Sequence, residues 1–252
     1  MTARPRVAIC FFGLVKDYGV VAQSVTEFIL APLLRSGLQY DIYIHTYNQS
    51  NITNPRNGEA DIAITPTSIL RHFPQATFKR DNPIVADRIQ PLDYYLRNGD
   101  PWSDNPRISM LNYIRQLYSL RAVTALWVPS ARKYTYVIYL RPDVRFTTPL
   151  ALNHRITTQQ IAIPNFHNFG GCNDRFAYGR PNAMKAYGER LNWVDTFFTR
   201  HTQPLHAERY LLAFLQAHKL QPVLIPFHFI RVRADGKENI GDQKVRDEAL
   251  QV

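Results

Sequence analysis

Arg141, Asp143, Asp174, Glu208 and His228 are the side chains whose settings suit them to chemistry. Arg141-Pro142-Asp143 follows Tyr136-Val137-Ile138-Tyr139-Leu140, a β-branched and aromatic run with the composition of a fully buried strand. Proline cannot continue a central ladder, so the strand ends there with two charges at its carboxyl end. In open α/β sheets, ligands bind in the crevice outside such strand ends. A carboxylate in that place can hold a divalent cation, and an arginine beside it can grip phosphate oxygens. The bland alternative is a polar turn closed by a surface ion pair, since strand-Pro-Asp turns are common.

The other candidates have comparable settings. Asp174-Arg175 precedes a short aromatic strand, after the turn-forming pair Gly170-Gly171. Glu208 falls in the first turn of a helix opened by His206-Ala207, where a carboxylate also complements the helix dipole. His228 sits in a strand expected over 222–230 and followed by Arg231 and Arg233. A strand histidine taken alone is more often structural.

The elements that must position these groups alternate between strands and helices. Arg6-Val7-Ala8-Ile9-Cys10-Phe11-Phe12 reads as a buried strand stopping at Gly13, where backbone can approach a ligand closely. A helix over 24–36 offers Phe28, Ile29, Leu33 and Leu34 to a core, with a bend at Pro32. A second strand spans 40–47, and the polar segment 48–61 reads as a surface loop. Residues 67–79 add a strand or short helix, and 81–102 is irregular and suited to a lid or acceptor wall. Asn105-Pro106 caps a strong helix from 107 to about 127, apolar through Met110, Ile114, Leu117, Leu120, Val123 and Trp127. Its polar stripe, Asn112, Arg115, Gln116 and Ser119, is either solvated or turned to the same crevice. A strand at 160–164, helices over 182–198 and from 206, and a frayed charged tail from Asp235 complete the chain. This β–helix–β order predicts one α/β domain over 1–252, with a mostly parallel central sheet flanked by helices.

Composition narrows the function classes. A length of 252 residues with 45% hydrophobic content suits one large soluble domain, and no apolar run is long enough to cross a bilayer. The N-terminal residues lead into a strand without a small-residue cleavage site, so a cytoplasmic location is the expectation. Two cysteines, Cys10 and Cys172, make neither a disulfide framework nor a zinc set. The net charge of +10 calls for an anionic partner, yet the basic residues are scattered, so no nucleic acid is expected as the main partner. Gly-x-Gly-x-x-Gly and Gly-Lys-Ser/Thr phosphate motifs are absent from the sequence.

Several of these segments together resemble the glycosyltransferases of the GT-A fold, of the small kind found in large algal viruses, bacteria and plant genomes. The resemblance rests on Phe11-Phe12-Gly13, Tyr40-Asp41-Ile42-Tyr43-Ile44-His45-Thr46, Arg115-Gln116-Leu117-Tyr118-Ser119-Leu120, Tyr139-Leu140-Arg141-Pro142-Asp143, Asn173-Asp174-Arg175-Phe176 and Ala207-Glu208-Arg209-Tyr210-Leu211. It implies a Rossmann-like domain with a nucleotide-binding part at about 1–146, an acceptor and catalytic part at about 147–234, and a charged tail at 235–252. It also implies transfer of a sugar from a nucleoside-diphosphate donor, UDP- or GDP-linked, to a hydroxyl of a glycan or glycoconjugate, while the net charge of +10 also suits peripheral association with an anionic membrane.

The same resemblance distributes roles among the residues. Phe12, Gly13, Leu14, Arg115 and Gln116 stand at donor-binding positions. Asp143 matches the acid of an Asp-x-Asp segment that holds manganese or magnesium and the diphosphate, and His228 matches a late metal-binding histidine. Arg141 stands where the first Asp of that segment belongs, so it can neutralise the diphosphate itself. Glu208 matches the catalytic base of inverting relatives, with Asp174 the competing carboxylate or a sugar-binding one. The alternatives are a non-catalytic nucleotide-sugar or carbohydrate-binding module and, on charge alone, a basic nucleic-acid-binding protein.

Overall fold

The structure, a computed structural model, describes residues 5–103 and 107–249, with side chains up to 244. The expected helix cap Asn105-Pro106 lies outside the described residues. In chain order the main elements are β1 (Arg6–Phe12), α1 (Gly19–Val25), α2 (Ala31–Arg35), β2 (Gln39–Tyr47), β3 (Asn51–Asn54), β4 (Glu59–Ala63), β5 (Thr77–Asp81), α3 (Pro83–Asp87), α4 (Leu92–Tyr95) and α5 (Ile108–Trp127). There follow β6 (Tyr134–Leu140), β7 (Val144–Phe146), β8 (Gln160–Pro164), β9 (Phe176–Gly179), α6 (Pro181–Gly188), α7 (Val194–Arg200), α8 (Ala207–Ala217), β10 (Gln221–Ile225), β11 (Phe229–Arg231) and α9 (Ile240–Ala249).

Among the described residues the central sheet has seven strands in the order β10-β8-β9-β6-β1-β2-β5. Only β9 is antiparallel to its neighbours, so the sheet is mostly parallel, as expected. Parity along β1 explains why both of its faces are covered. Val7, Ile9 and Phe11 feed one apolar cluster with α1 and α2, while Ala8, Cys10 and Phe12 feed the other with α5 and α8. Each large side chain so buried contributes roughly 1.5–3 kcal/mol.

Several segments differ from the sequence reading. The segment 48–61 forms a two-stranded hairpin, β3 with β4, because Glu59 is drawn inward to 2% exposure by charged partners described below. The tail carries α9, docked through the buried Asp242. The expected helix 182–198 breaks after Gly188, where a Cβ would stand 2.0 Å from Thr124 Oγ1 and 2.4 Å from Tyr139 Oη, so only glycine permits that approach. Residues 222–230 likewise divide between β10 at the sheet edge and β11, which pairs with β7. Pro32 is absorbed within the first turn of α2, after a π-helical turn, and Leu34 is exposed rather than core.

Candidate functional site

The strand order turns back at β1 and β6: β2 and β5 continue on one side, β9 and β8 on the other. A cleft of about 540 Å³ opens there, lined by Gly13 and Leu14 after β1 and by Arg141 and Asp143 after β6. This is the switch point at which open α/β sheets place ligands. Gly13 has φ +106°, and a Cβ there would meet Pro142 Cδ at 3.9 Å, so conformation more than crowding requires glycine. Because β9 runs antiparallel to β6, the residues preceding it arrive at the same end of the sheet. Asp174-Arg175 therefore lies beside Arg141, whose N–H donates to the Arg175 carbonyl at 3.2 Å.

The expected residues join into one chain of polar contacts. Arg141 Nε and Nη2 donate to both Asp143 oxygens at 2.8 and 2.6 Å, and Nη1 donates to Gln116 Oε1 at 2.7 Å. Gln116 Nε2 in turn donates to Asp174 Oδ2 at 2.6 Å. Arg175 Nη1 lies 3.3 Å from Asp174 Oδ1 and 3.0 Å from Glu208 Oε1. Asp143, Asp174 and Glu208 are only 7%, 2% and 3% exposed, so each charge depends on its partners rather than on water.

These surroundings push the carboxylates apart. Burial works against ionisation of Asp143, but the Arg141 guanidinium outweighs it and holds the pKa at about 2. Burial of Asp174 is likewise outweighed, by Arg175, Arg190 and Arg141, and its pKa falls below the ordinary carboxylate range. For Glu208, burial and then the neighbouring Asp174 charge prevail over Arg175, raising the pKa to about 7. One carboxyl is thus poised to exchange a proton near neutrality while its neighbours stay ionised.

Cations gather around Asp143. Lys16 and Arg231 both lower its pKa, and Lys16, Arg141, Arg231 and Arg233 line the cleft. Lys16 Nζ is held by Glu59 Oε1 at 2.8 Å, and the same oxygen accepts the Ala234 N–H at 2.8 Å, tying the β3–β4 hairpin to the chain after β11. Arg231 makes a two-pronged contact with Asp242 at 2.8 and 2.7 Å. Arg233 makes no side-chain hydrogen bond or ion pair among the described residues, and burial followed by the Arg231 charge lowers its pKa. Sequence reasoning assigned no role to Lys16, Glu59, Arg231 or Arg233. The one available signal was the Arg-x-Arg spacing just past a late strand.

The remaining expected residues are placed differently. Gly13, Leu14, Arg115, Gln116, Arg141, Asp143, Asp174 and Glu208 all line the cleft. Arg115 is engaged by Asp87 at 2.8 and 2.7 Å. Phe12 is fully buried with its ring edge-on to Tyr139, on the core side of β1 and away from the cleft wall. His228 is not on that wall either: its ring packs on Phe166 at 5.1 Å. Among the described residues no group of three His, Cys, Asp or Glu is arranged for a metal ion. Asp143 has both oxygens occupied by Arg141. The side chains present therefore do not fit the metal site implied for Asp143 and His228.

The loop before β9 is fixed to the start of α8. Cys172 N–H donates to the Glu208 carbonyl at 3.0 Å, and a Cβ on Gly171 would stand 1.9 Å from that oxygen. Replacing Gly171 by alanine must therefore displace backbone that carries both Asp174 and Glu208. The expected result is a loss of about 3 kcal/mol in stability, measured by denaturant unfolding. Trp102 packs against His206 at 5.6 Å, and His206 Nδ1 is 3.3 Å from Glu208 Oε2, so this end of the cleft has an aromatic wall.

No helix among the described residues is long and apolar enough to cross a membrane. No family model matches the chain, and no curated protein matches it. Among solved structures, the chain is similar to mouse xyloside xylosyltransferase 1, at 12% identity and a TM-score of 0.44 over 88% of this chain and 85% of that one. It is also similar to the glycosyltransferase GlyE of Streptococcus pneumoniae TIGR4, at 11% identity and a TM-score of 0.41. That match covers 88% of this chain and 45% of GlyE, so the chain spans less than half of that structure.

Proposed function

We propose that the chain is a glycosyltransferase that moves a sugar from a nucleoside-diphosphate donor to a hydroxyl of a glycan or glycoconjugate. The observation that carries this reading is the pairing, in one cleft at the sheet's switch point, of a cation cluster with the buried carboxylate Glu208. A cleft of about 540 Å³ falls within the usual range for small-molecule and cofactor sites. Lys16, Arg141, Arg231 and Arg233 take the diphosphate, and Glu208 faces the acceptor hydroxyl. The resemblance in the quoted motifs supports the same assignment.

In the proposed step the acceptor oxygen forms a bond to the anomeric carbon, and the bond from that carbon to the β-phosphate oxygen breaks. The electron pair leaves on the diphosphate, where the cations stabilise the charge that develops. The acceptor proton passes to Glu208. Asp174, held ionised, stays a fixed negative charge beside the reacting centre. With Glu208 as base the displacement is single and inverts the anomeric centre.

Titration calorimetry with UDP, GDP, CDP, ADP and dTDP tests the donor site; one or more is expected to bind, and binding by none contradicts the reading. A pH series tests the base. Glu208 accepts a proton only when ionised, and its pKa in the ligand-free protein is about 7, so kcat/KM is expected to rise between pH 6 and 8 and then level. Asp174→Asn removes a negative charge that opposes this ionisation, so the limb should move to lower pH. A profile unmoved by Asp174→Asn would mean that another group sets the limb.

A further inference from the structure

We infer that Ser119, His45 and Asp81 form a positioning relay that fixes the Gly13 backbone at the donor end of the cleft. This role rests on the donor site proposed above. Four elements contribute: Gly13 follows β1, His45 lies in β2, Ser119 in α5, and Asp81 ends β5. Gly13 N–H donates to Ser119 Oγ at 2.7 Å, Ser119 Oγ lies 2.8 Å from His45 Nδ1, and His45 Nε2 lies 3.2 Å from Asp81 Oδ2. Tyr118 Oη donates to the same Asp81 oxygen at 2.7 Å, and Lys79 Nζ stands 3.0 Å from it.

The chemistry of these groups gives the relay a direction. His45 is 0% exposed, and burial, opposed by Asp81, lowers its pKa to about 4, so the ring is neutral near pH 7. A neutral imidazole has one N–H and one lone pair. Asp81 is ionised and can only accept, so the N–H is on Nε2 and Nδ1 accepts from the Ser119 hydroxyl. The Ser119 oxygen is then left to accept from Gly13. The opposite tautomer would set a bare ring nitrogen against a carboxylate. The donors of this chain then point from Gly13 towards Asp81, with the His45 carbonyl 3.1 Å from Ser119 Oγ as a second acceptor for the same hydroxyl proton, and successive hydrogen bonds so aligned reinforce one another.

The residue types are those of a hydrolytic triad, but Ser119 is fully buried and its oxygen is taken by a backbone amide, so it is not a nucleophile. What the relay controls is the turn that begins at Gly13. That turn carries Leu14 and Lys16 into the cleft. It is held further on by Val15 N–H to Thr46 Oγ1 at 2.9 Å and by Thr65 N–H to the Lys16 carbonyl at 2.9 Å. Without the Ser119 contact, Gly13, at φ +106° and with no Cβ to restrict its backbone, loses its own anchor. Apolar residues would fill the same volume, so a polar chain ending on this amide serves the turn rather than the core.

The test compares wild type with Ser119→Ala and Asp81→Asn, the latter keeping an oxygen that accepts from His45. Binding of UDP, GDP, CDP, ADP and dTDP is measured by calorimetry, and backbone exchange over 13–16 by hydrogen–deuterium mass spectrometry. Ser119→Ala is expected to weaken binding of the recognised nucleotide about tenfold and to speed exchange in that segment, with the pH limb of kcat/KM unmoved. Asp81→Asn, which keeps an oxygen facing His45 but loses the charge, is expected to weaken binding in the same direction by about threefold, less than Ser119→Ala, and a loss larger than that of Ser119→Ala would contradict the relay's order. Equal affinity and equal exchange in wild type and Ser119→Ala would overturn the relay while leaving the donor site standing. Failure of wild type itself to bind any of these nucleotides would overturn the donor reading and the relay's role with it.

Discussion

Glu208→Gln is expected to lower kcat by about 10²- to 10⁴-fold while donor affinity stays within about twofold, the signature of a lost proton acceptor rather than a lost binding contact. Glutamine has nearly the same shape and still presents an oxygen to Arg175, which lies 3.0 Å from Glu208 Oε1. It cannot take a proton from an acceptor hydroxyl. Stability is expected to change little, because a carboxyl with a pKa of about 7 is half neutral at that pH in the native state. Initial rates and calorimetry on the same preparation read both quantities. If kcat were unchanged, the proton would have to go to Asp174 or to the departing phosphate.

Arg233→Ala is expected to weaken nucleoside-diphosphate binding by about 10- to 100-fold, the worth of one charge-assisted contact of roughly 1.5–3 kcal/mol. The same change should leave the thermal midpoint of the ligand-free protein unchanged or slightly higher. Arg233 has no carboxylate partner among the described residues, and both burial and Arg231 disfavour its charge. A side chain that is uncomfortable without a ligand and needed with one is a mark of a binding site. The opposite pattern, intact nucleotide binding with a lower midpoint, would make Arg233 a structural residue. Lys16 and Arg231 are less clean tests, since removing either strands a buried Glu59 or Asp242.

Much of this was legible in the chain because buried strands carry their own signal. The runs ending at Phe12, Tyr47 and Leu140 have the β-branched and aromatic compositions of strands in a covered sheet, and their carboxyl ends mark the crevice. Gly13, Arg141 and Asp143 stand at those ends and Glu208 in the first turn of α8, while Leu14 and the roles given to Asp174 and Glu208 come from the family resemblance. Other features depend on pairings that no local pattern records. The antiparallel insertion of β9 between β6 and β8 is what carries Asp174 to Arg141. Glu59 stands in a polar stretch that reads as solvent-exposed, and only Lys16 and the Ala234 amide, far away in sequence, draw it inside.

The length of β1 accounts for one difference. Phe11 and Phe12 point to opposite faces but both faces are covered, so both rings are core, and only past the strand's end do Gly13 and Leu14 reach the cleft. The polar stripe of α5 is not uniform: Asn112 is exposed and Arg115 half-buried, while Gln116 and Ser119 are buried. Gln116 bridges Arg141 and Asp174, and Ser119 anchors Gly13. A helix buried on most of its circumference shows no clean amphipathic pattern, so the stripe's meaning emerged only from its partners. His228 followed a motif position, but its ring packs on Phe166, away from the carboxylates.

The most direct test of the central claim is proton NMR of UDP- and GDP-sugars incubated with the protein, followed for consumption of the donor anomeric signal. The proposal predicts that one nucleotide-sugar family is consumed, that its nucleoside diphosphate accumulates, that the new anomeric signal is inverted, and that Glu208→Gln suppresses all three. A donor bound tightly by wild type yet stable under every acceptor tried, water included, would contradict transfer and leave a nucleotide-sugar-binding protein.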